Sequence, residues 1–360
     1  MIVMSRFFTA LAALLFALAL LFFPQAGAEA ARSGLLLCGE TILPALFPYF
    51  VMSNLLIYGG LGARLSRVLQ PIMSPLFHVG GSGGAALALG LAGGYPTGAA
   101  TVRSLLEQCA CTLEEAQSLL HFCNNSGPAF ILAVAGSAVF GRMDLGLLLF
   151  AAHTLGALGT GLLLRRPSQP AHLKAAPGGK TPLPPGSLLT ASVQKALTAS
   201  LQVSAYVVLF TVLIGLLRAA FPVIDTLPAP AAALLAGLIE VSTGVCALTG
   251  SATPLSLALC AFLLGWGGFS VHCQTAALLE GSGLRMGPYL GAKLLHGLLS
   301  AGLTLGSTLC FPSLLAAGTP GGQTALTALF PVSIPLGWVI WTLAALFLIK
   351  RGGNAGEKPV

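Results

Sequence analysis

Long apolar segments dominate this chain and restrict it to folds that are built in a lipid bilayer. They occupy about residues 34–60, 80–105, 117–140, 145–164, 197–217, 229–250, 255–279, 288–311 and 325–349. An α-helix needs about 20 apolar residues to cross the hydrocarbon core, so the chain has room for about eight to ten such segments. Only 8% of its residues are charged, against about 25% in soluble domains. We therefore expect an all-α polytopic membrane protein.

The N-terminal segment has two interpretations. Its apolar run, Phe7 to Phe23, follows Arg6 and precedes Ala26-Gly27-Ala28. A signal peptide has the same order of cation, apolar run and small residues. Because a run of about 17 residues also approaches the length of a membrane span, we favour an uncleaved N-terminal transmembrane helix over residues 1–33.

The positions of the basic residues predict how the segments are oriented. Residues 165–194 combine cations with prolines and glycines, which is typical of a flexible cytoplasmic linker. Arg64, Arg67 and Arg285 can share the cytoplasmic side with this linker only if two segments, 80–105 and 229–250, enter and leave the membrane on the same side. We therefore predict that these two segments are re-entrant hairpins. The net charge of +7 sets topology and does not indicate nucleic-acid binding.

This topology divides the chain into two inverted repeats. The first covers residues 34–164 and the second residues 195–311, and each contains a hairpin followed by a further membrane segment. A C-terminal helix and tail follow over 312–360. Thr-Gly pairs lie in both predicted hairpins, in Tyr95-Pro96-Thr97-Gly98-Ala99 and in Val241-Ser242-Thr243-Gly244-Val245.

Each repeat also contains a membrane segment that is interrupted near its middle. The run Phe122–Phe130 reads Phe-Cys-Asn-Asn-Ser-Gly-Pro-Ala-Phe, and the run Gly265–Ser270 reads Gly-Trp-Gly-Gly-Phe-Ser. A helix interrupted in hydrocarbon persists only where protein, solute or water pairs its free backbone groups. Broken helices at mid-depth commonly form the solute sites of transporters. We therefore expect a solute-binding site inside the membrane.

Three motifs resemble a known group of proteins. Leu43–Phe50, Gly94–Ala99 and Phe122–Phe130 together resemble the YlbJ/SpoVV sporulation integral membrane proteins, which belong to the wider nucleoside-transporter gate-domain group. The resemblance covers about residues 34 to 311. It implies passage of dipicolinic acid from the mother cell across the outer forespore membrane of an endospore-forming bacterium. Composition alone indicates no such solute.

The expected site combines the hairpin tips with the two interruptions, because glycines let the backbone approach a ligand and amides and hydroxyls bind it. The predicted solute-binding residues are Tyr95, Thr97, Gly98, Asn124, Asn125, Ser126, Gly127, Ser242, Thr243, Gly244, Gly268, Ser270, His272 and Gln274. Close helix packing is the alternative role of Gly98 and Gly244. His272 is either a satisfied interior histidine or a group that titrates during transport.

Three ionisable residues are candidates for balancing the charge of the solute or for binding a coupling ion. Glu240 lies in the second hairpin and would bind a proton or sodium, or else form a salt bridge with Lys293 or Arg103. Arg103 and Lys293 would neutralise an anionic solute, or else extend to the cytoplasmic surface.

The sequence gives no support for an enzyme, a cofactor or a metal site. It contains no phosphate-binding loop and no dinucleotide fingerprint. Cys109, Cys111, His121 and Cys123 lack the paired spacing of zinc ligands. Three hypotheses remain: transport of a small anion, transport of a nucleoside or a cation by the same architecture, and a non-transporting scaffold for other sporulation membrane proteins. Gly302-x-x-x-Gly306 fits close helix contact within or between chains, so a homo-oligomer stays open.

Overall fold

The computed structural model describes residues 2–58, 61–80, 82–165, 185–250 and 252–316. This part of the chain is helical and contains no strand. The helices are α1 (Ile2–Phe22), α2 (Pro24–Leu37), α3 (Leu43–Tyr58), α4 (Leu61–Phe77), α5 (Ser82–Gly93), α6 (Thr97–Glu107), α7 (Leu113–Cys123), α8 (Met143–Leu163), α9 (Pro185–Ala220), α10 (Ala229–Ile239), α11 (Val241–Cys246), α12 (Pro254–Trp266), α13 (Gly268–Leu279), α14 (Met286–Cys310) and α15 (Ser313–Ala316). The predicted C-terminal span at 325–349 and most of the linker lie outside the described residues.

Four helical stretches are long and apolar enough to cross a membrane. They are Pro24–Met52, Met143–Leu163, Ser187–Ala220 and Pro254–Leu279. Many large apolar side chains on these stretches point outwards, for example Leu155 at 57% and Leu201 at 59% exposure. Such an apolar surface is stable in contact with lipid tails and unfavourable in contact with water. The expected all-α polytopic membrane protein is therefore confirmed.

The first long stretch is continuous from α2 into α3. A π-helical turn at Cys38–Ile42 joins the two helices, and both pack along α9. The contact is close at Gly34, where a Cβ atom would lie 3.1 Å from the Cα of Val208. The chain thus begins this stretch at Pro24, about ten residues before the predicted start.

Both segments that the sequence predicts as hairpins fold into two short helices joined by a turn. In the first, α5 and α6 pack together, and the turn contains Gly94 with φ +71°. In the second, α10 and α11 pack together, and the turn consists of Glu240 alone. We call these pairs hairpin 1 (82–107) and hairpin 2 (229–246).

Both predicted interruptions are present. After α7 ends at Cys123, residues 124–127 leave the helix, Pro128 is helical again, and a π-helical segment follows at Ala129–Val139. The second interruption is sharper, because α12 is capped by Gly267 in the left-handed conformation (φ +88°) and α13 begins at the next residue. We call residues 124–127 break 1 and residues 267–268 break 2.

Helix α14 lies at the centre of the bundle, where it packs against α12, α8 and α7. Its buried residues include unusually polar side chains for a membrane helix, among them Lys293, His296, Ser300 and Thr304. Small residues permit the close packing: Gly297 meets Gly265 of α12. The polar interior of α14 faces break 1, which places the two most polar features of the bundle side by side.

Candidate functional site

Both hairpin turns, break 1 and the start of α13, the helix that follows break 2, meet at one cavity of about 60 Å³. Residues from α3 and α9 complete its wall. The lining residues are Leu46, Tyr49, Phe50, Gly93, Gly94, Tyr95, Ser126, Gly127, Ala129, Phe130, Val203, Val207, Glu240, Val241, Ser242, Ser270, Val271 and Gln274. We call this space the central cavity. In this conformation it has room for only a few water molecules.

Glycine contacts hold each hairpin turn against the break that follows it. A Cβ atom at Gly94 would lie 2.9 Å from the amide nitrogen of Gly127, and one at Gly268 would lie 2.9 Å from that of Val241. Both glycines with these contacts have positive φ, which favours glycine for a second reason. The backbone of each turn therefore touches the backbone of its break, and a side chain at either glycine would prevent this contact.

Tyr95 connects hairpin 1 to break 2. Its hydroxyl donates to the carbonyl oxygen of Leu264 at 3.0 Å, and its ring lies against Gly267. The carbonyl of Leu264 belongs to the last turn of α12, where carbonyl groups have no N–H donor within the helix. Tyr95 was predicted to bind solute, and it does line the central cavity, but its hydroxyl is committed to the opposite half of the bundle.

Glu240 forms the N-cap of α11. Its carboxylate accepts from the amide of Ser242 at 3.1 Å, from the amide of Thr243 at 2.6 Å and from the Thr243 hydroxyl at 2.9 Å. The ion pairs within the described residues do not include Glu240, so the predicted salt bridge with Lys293 or Arg103 is absent there. The charge is stabilised instead by the start of a helix.

The hairpin tips differ from the prediction. Thr97 and Gly98 follow the turn and lie in the first turn of α6, while Ser242, Thr243 and Gly244 lie in α11. Gly98 packs on the backbone carbonyl of Cys123, and Gly244 packs on Gly237. For these two glycines the alternative role, close helix packing, is the one the structure gives. Gly98, Thr243 and Gly244 do not line the central cavity.

Asn124 links three helices with one side chain. Its oxygen accepts from the amide of Ala99 at 3.3 Å, and its nitrogen donates to the hydroxyls of Thr275 at 3.1 Å and Tyr289 at 2.9 Å. Asn125 is also turned inwards and donates to the carbonyl of Phe122 at 2.8 Å. Neither side chain lines the central cavity, and the hydrogen bonds of both side chains hold break 1 in place.

Behind break 1 lies a buried group of basic residues, Lys293, His296 and His153. Lys293 donates to the carbonyl of Asn124 at 2.8 Å, and its nitrogen lies 2.9 Å from Nδ1 of His296. Nε2 of His153 accepts from the amide of Ser126 at 3.1 Å. All three side chains have 0% exposure. The structure therefore excludes the alternative in which Lys293 extends to the surface.

Sequence reasoning missed His153 and His296. An ionisable side chain within an apolar helix is by itself a functional candidate, and both histidines lie within such helices. That criterion would have identified them, but their meeting depends on how α8 packs against α14.

Of the remaining predicted residues, Ser270 and Gln274 line the central cavity, whereas His272 does not. The His272 ring stands edge-on to Trp266 and Tyr289, with ring centroids 4.4 Å and 5.6 Å away. Within the described residues, neither of its ring nitrogens has a hydrogen-bond partner. His272 is thus an interior histidine, and no described protein atom forms a hydrogen bond with its ring nitrogens.

Arg103 lies away from the central cavity. Its guanidinium pairs with Glu107 at 2.6 Å and donates to the carbonyls of Leu278 and Glu280. It thereby covers the C-terminal end of α13, where a cation is favourable. Arg103 therefore connects α6 to α13 and does not line the central cavity.

A second cavity of about 170 Å³ adjoins the first. The two share Phe50, Gly93, Tyr95, Val203 and Gln274. The second also has a polar wall formed by Asn54, Thr97, Lys195, Thr198 and Gln202. We call it the vestibule. Within the described residues, no group of three or more histidine, cysteine or acidic side chains is placed to hold a metal ion.

Comparison with known proteins places the chain in a family. No protein-family model matches it, and no solved structure matches it. It is 32% identical over 317 residues to the sporulation integral membrane protein YlbJ of Bacillus subtilis (strain 168), an alignment that covers 77% of this chain and 76% of the relative. The chain therefore belongs to the YlbJ family of sporulation integral membrane proteins.

Proposed function

We propose that this protein is a transporter that moves a small solute through the central cavity by alternating access. The observation that carries the proposal is the meeting of two hairpin turns, one helix break and the start of the helix after the other break at a single cavity. Interrupted helices around a midplane site are a recurrent architecture of secondary transporters. The small volume of the cavity fits a closed state that must open to admit a solute.

The proposal includes the two inverted repeats, residues 34–164 and 195–311, with hairpins 1 and 2 as re-entrant elements. Two facts support it: each half has the same order of hairpin, break and long helix, and each hairpin turn packs on its own break through glycine. Cross-contacts such as Tyr95 with the end of α12 would then be the contacts that change when one half moves against the other.

Dipicolinate is the solute we propose first. The first turns of three helical segments line the central cavity: the π-helical segment after break 1, α11 and α13. The start of a helix carries a partial positive charge and free N–H groups, which suit carboxylates. The carboxylate of Glu240 neutralises only one of these three helix starts, that of α11. The relationship to a sporulation protein agrees with this solute and with a location in the outer forespore membrane.

A nucleoside or a cation is the second candidate, and one observation favours it. Glu240 is the charged side chain that the described lining presents to the central cavity, and a carboxylate repels an anion. The remaining polar lining consists of hydroxyls and an amide, with the aromatic rings of Tyr49, Phe50 and Tyr95. Such a wall suits an uncharged solute with a flat ring.

Uptake by purified protein in proteoliposomes tests the proposal. Labelled dipicolinate and labelled uridine are compared in the wild type, in Gln274→Leu, which removes an amide that both cavities share, and in Gln194→Leu. Gln194 is exposed on α9 and lines neither cavity. Saturable dipicolinate uptake that Gln274→Leu loses and Gln194→Leu keeps supports the first candidate. Uridine uptake alone supports the second candidate. If the folded protein takes up neither solute, the non-transporting scaffold is the hypothesis that remains.

A further inference from the structure

Lys293 is a buried amine whose described neighbours can satisfy all three N–H groups of its protonated form. One meets the carbonyl oxygen of Asn124 at 2.8 Å and one meets Nδ1 of His296 at 2.9 Å. The third can face the ring of Tyr95, whose centroid lies 5.1 Å from the nitrogen, a cation–π distance. A neutral amine would have only two hydrogens for these three partners. The geometry therefore fits an ammonium ion.

The hydrogen bonds also fix where the protons of both histidines lie. Nε2 of His296 is 2.8 Å from the carbonyl oxygen of His153, and a carbonyl cannot donate, so this nitrogen carries the hydrogen. Nδ1 of neutral His296 is then free to accept from Lys293. In His153, Nε2 accepts from Ser126, so its hydrogen lies on Nδ1. In its protonated form the group holds one excess proton, on Lys293, with a direct path to His296.

No carboxylate balances this charge among the contacts of the described residues. The described ion pairs do not include Lys293. The groups around it are His153 on α8, His272 on α13, Tyr95 on hairpin 1, and Tyr289 and His296 on its own helix. Break 1, at the end of α7, presents the Asn124 carbonyl, and α12 presents the glycine backbone at Gly265. An uncompensated cation in a membrane interior is costly, so the dry surroundings favour release of the proton, and water that reaches the group can accept it.

The group is connected to the central cavity at two points. His153 holds the amide of Ser126, and Lys293 lies behind the ring of Tyr95. Both Ser126 and Tyr95 line the cavity. Protonated Lys293 therefore holds break 1 through Asn124 and the turn of hairpin 1 through Tyr95. When the proton leaves, both contacts weaken together.

From this geometry we propose that Lys293, His296 and His153 form a proton-binding site that couples proton movement to solute passage. One proton binds to Lys293 and leaves from Lys293 or, after transfer across the 2.9 Å hydrogen bond, from His296. The protonated state fixes hairpin 1 against break 1, and the deprotonated state releases them. This inference rests on the proposed transport function.

Proteoliposomes with an imposed pH gradient test the coupling. Two quantities are measured with dipicolinate and uridine: solute exchange at equal pH on both sides, and the accumulation ratio with the gradient. Coupling of one proton to one solute changes the accumulation ratio about tenfold per pH unit. The variants are Lys293→Met and the milder His296→Gln, whose amide still accepts from Lys293. The control is His121→Gln, a buried histidine of α7 that lines neither cavity.

The expected result is a pH-driven accumulation that the wild type and His121→Gln share. His296→Gln and Lys293→Met should exchange solute but lose the response to the gradient. Exchange without any pH response in the wild type, accumulation driven by sodium at equal pH, or a full response in both variants would overturn the coupling while transport stands. Absence of exchange for both solutes in the wild type would overturn the transport function and the coupling with it.

Discussion

At the scale of single residues, the interior is organised by polar side chains whose hydrogen bonds join different helices. Asn124 joins α6, α13 and α14 from a position with 1% exposure. In a membrane protein the apolar surroundings are alike on both sides of a helix, so packing and hydrogen bonds between helices decide the arrangement. Asn124 therefore determines where break 1 lies.

Replacement of Asn124 should destabilise the protein more than it changes any solute contact. Asn124→Ala removes three hydrogen bonds: the amide of Ala99 loses its side-chain acceptor, and the hydroxyls of Thr275 and Tyr289 keep only their mutual contact at 3.4 Å. A buried polar group that loses its partner costs about 1–3 kcal/mol. We expect a clear fall in the thermal unfolding midpoint of detergent-purified protein. Gln108→Ala, which removes an exposed bond to Ser104, should leave the midpoint unchanged. Equal midpoints for the two variants would contradict the role of Asn124.

Glu240 provides a test of the solute's charge. Glu240→Gln keeps the size of the side chain but removes the negative charge from the cavity wall, and it places an NH₂ group against one of the N–H donors of α11. Loss of part of an N-cap costs about 1 kcal/mol. If the solute is an anion, removal of the repulsion should lower its KM. If it is a cation, uptake should fall. Glu107→Gln, at an exposed ion pair, is the matched control, and an unchanged KM in both variants would place the solute away from Glu240.

At the scale of elements, the hairpins depend on glycines that allow two backbones to touch. Gly98 in α6 lies against the carbonyl of Cys123, where α7 ends. Such contact is possible only without a Cβ atom, and a methyl group there must push α6 away from break 1. The positions of hairpin 1 and break 1 are therefore coupled by steric exclusion.

Gly98→Ala should separate α6 from α7 and abolish uptake, with a cost of about 1–3 kcal/mol for overpacking. Gly291→Ala is the matched control, because Gly291 is also helical and a Cβ atom there meets nothing within 4 Å. Uptake and unfolding of the two variants are measured in parallel. Wild-type uptake in Gly98→Ala would mean that the backbone can yield at this contact.

The sequence predicted where hairpins and breaks lie but not which residues meet. Segment positions follow from hydropathy and from the placement of arginines, and Pro128 and Gly267 interrupt helices for local backbone reasons. The turn of hairpin 1 was misplaced onto Thr97 and Gly98, since both the turn and the following helix are rich in small residues. Contacts between distant segments, such as Lys293 with Asn124, depend on packing between helices that no local pattern encodes.

At the scale of the whole molecule, the vestibule adjoins the central cavity on one side of the described structure. Its wall comes from the C-terminal part of α3, the start of α6, the end of α13 and the N-terminal part of α9. By the predicted topology, α3 and α13 end at the cytoplasm and α9 begins there, while the start of α6 lies at the deep end of a hairpin that enters from the cytoplasm. This topology therefore predicts that the vestibule lies on the cytoplasmic side of the central cavity.

Labelling of single cysteines from each side of the membrane tests this orientation. Thr198→Cys introduces a thiol in the vestibule, and Thr226→Cys introduces one in the exposed turn beyond the other end of α9. Since α9 rises about 1.5 Å per residue, its stretch from Thr198 to Ala220 is about as long as the hydrocarbon core is thick, which predicts that the two positions lie towards opposite faces of a bilayer. An impermeant maleimide should label Thr198→Cys in inside-out vesicles and Thr226→Cys in intact cells, above the background of the wild type.

The same variants test whether solute reaches the central cavity. Because a solute bound in the central cavity would obstruct the adjoining vestibule, dipicolinate should slow labelling at position 198 and leave position 226 unaffected. Labelling of Thr198→Cys from the outside would reverse the orientation, and labelling of both positions from one side would contradict a membrane-crossing α9.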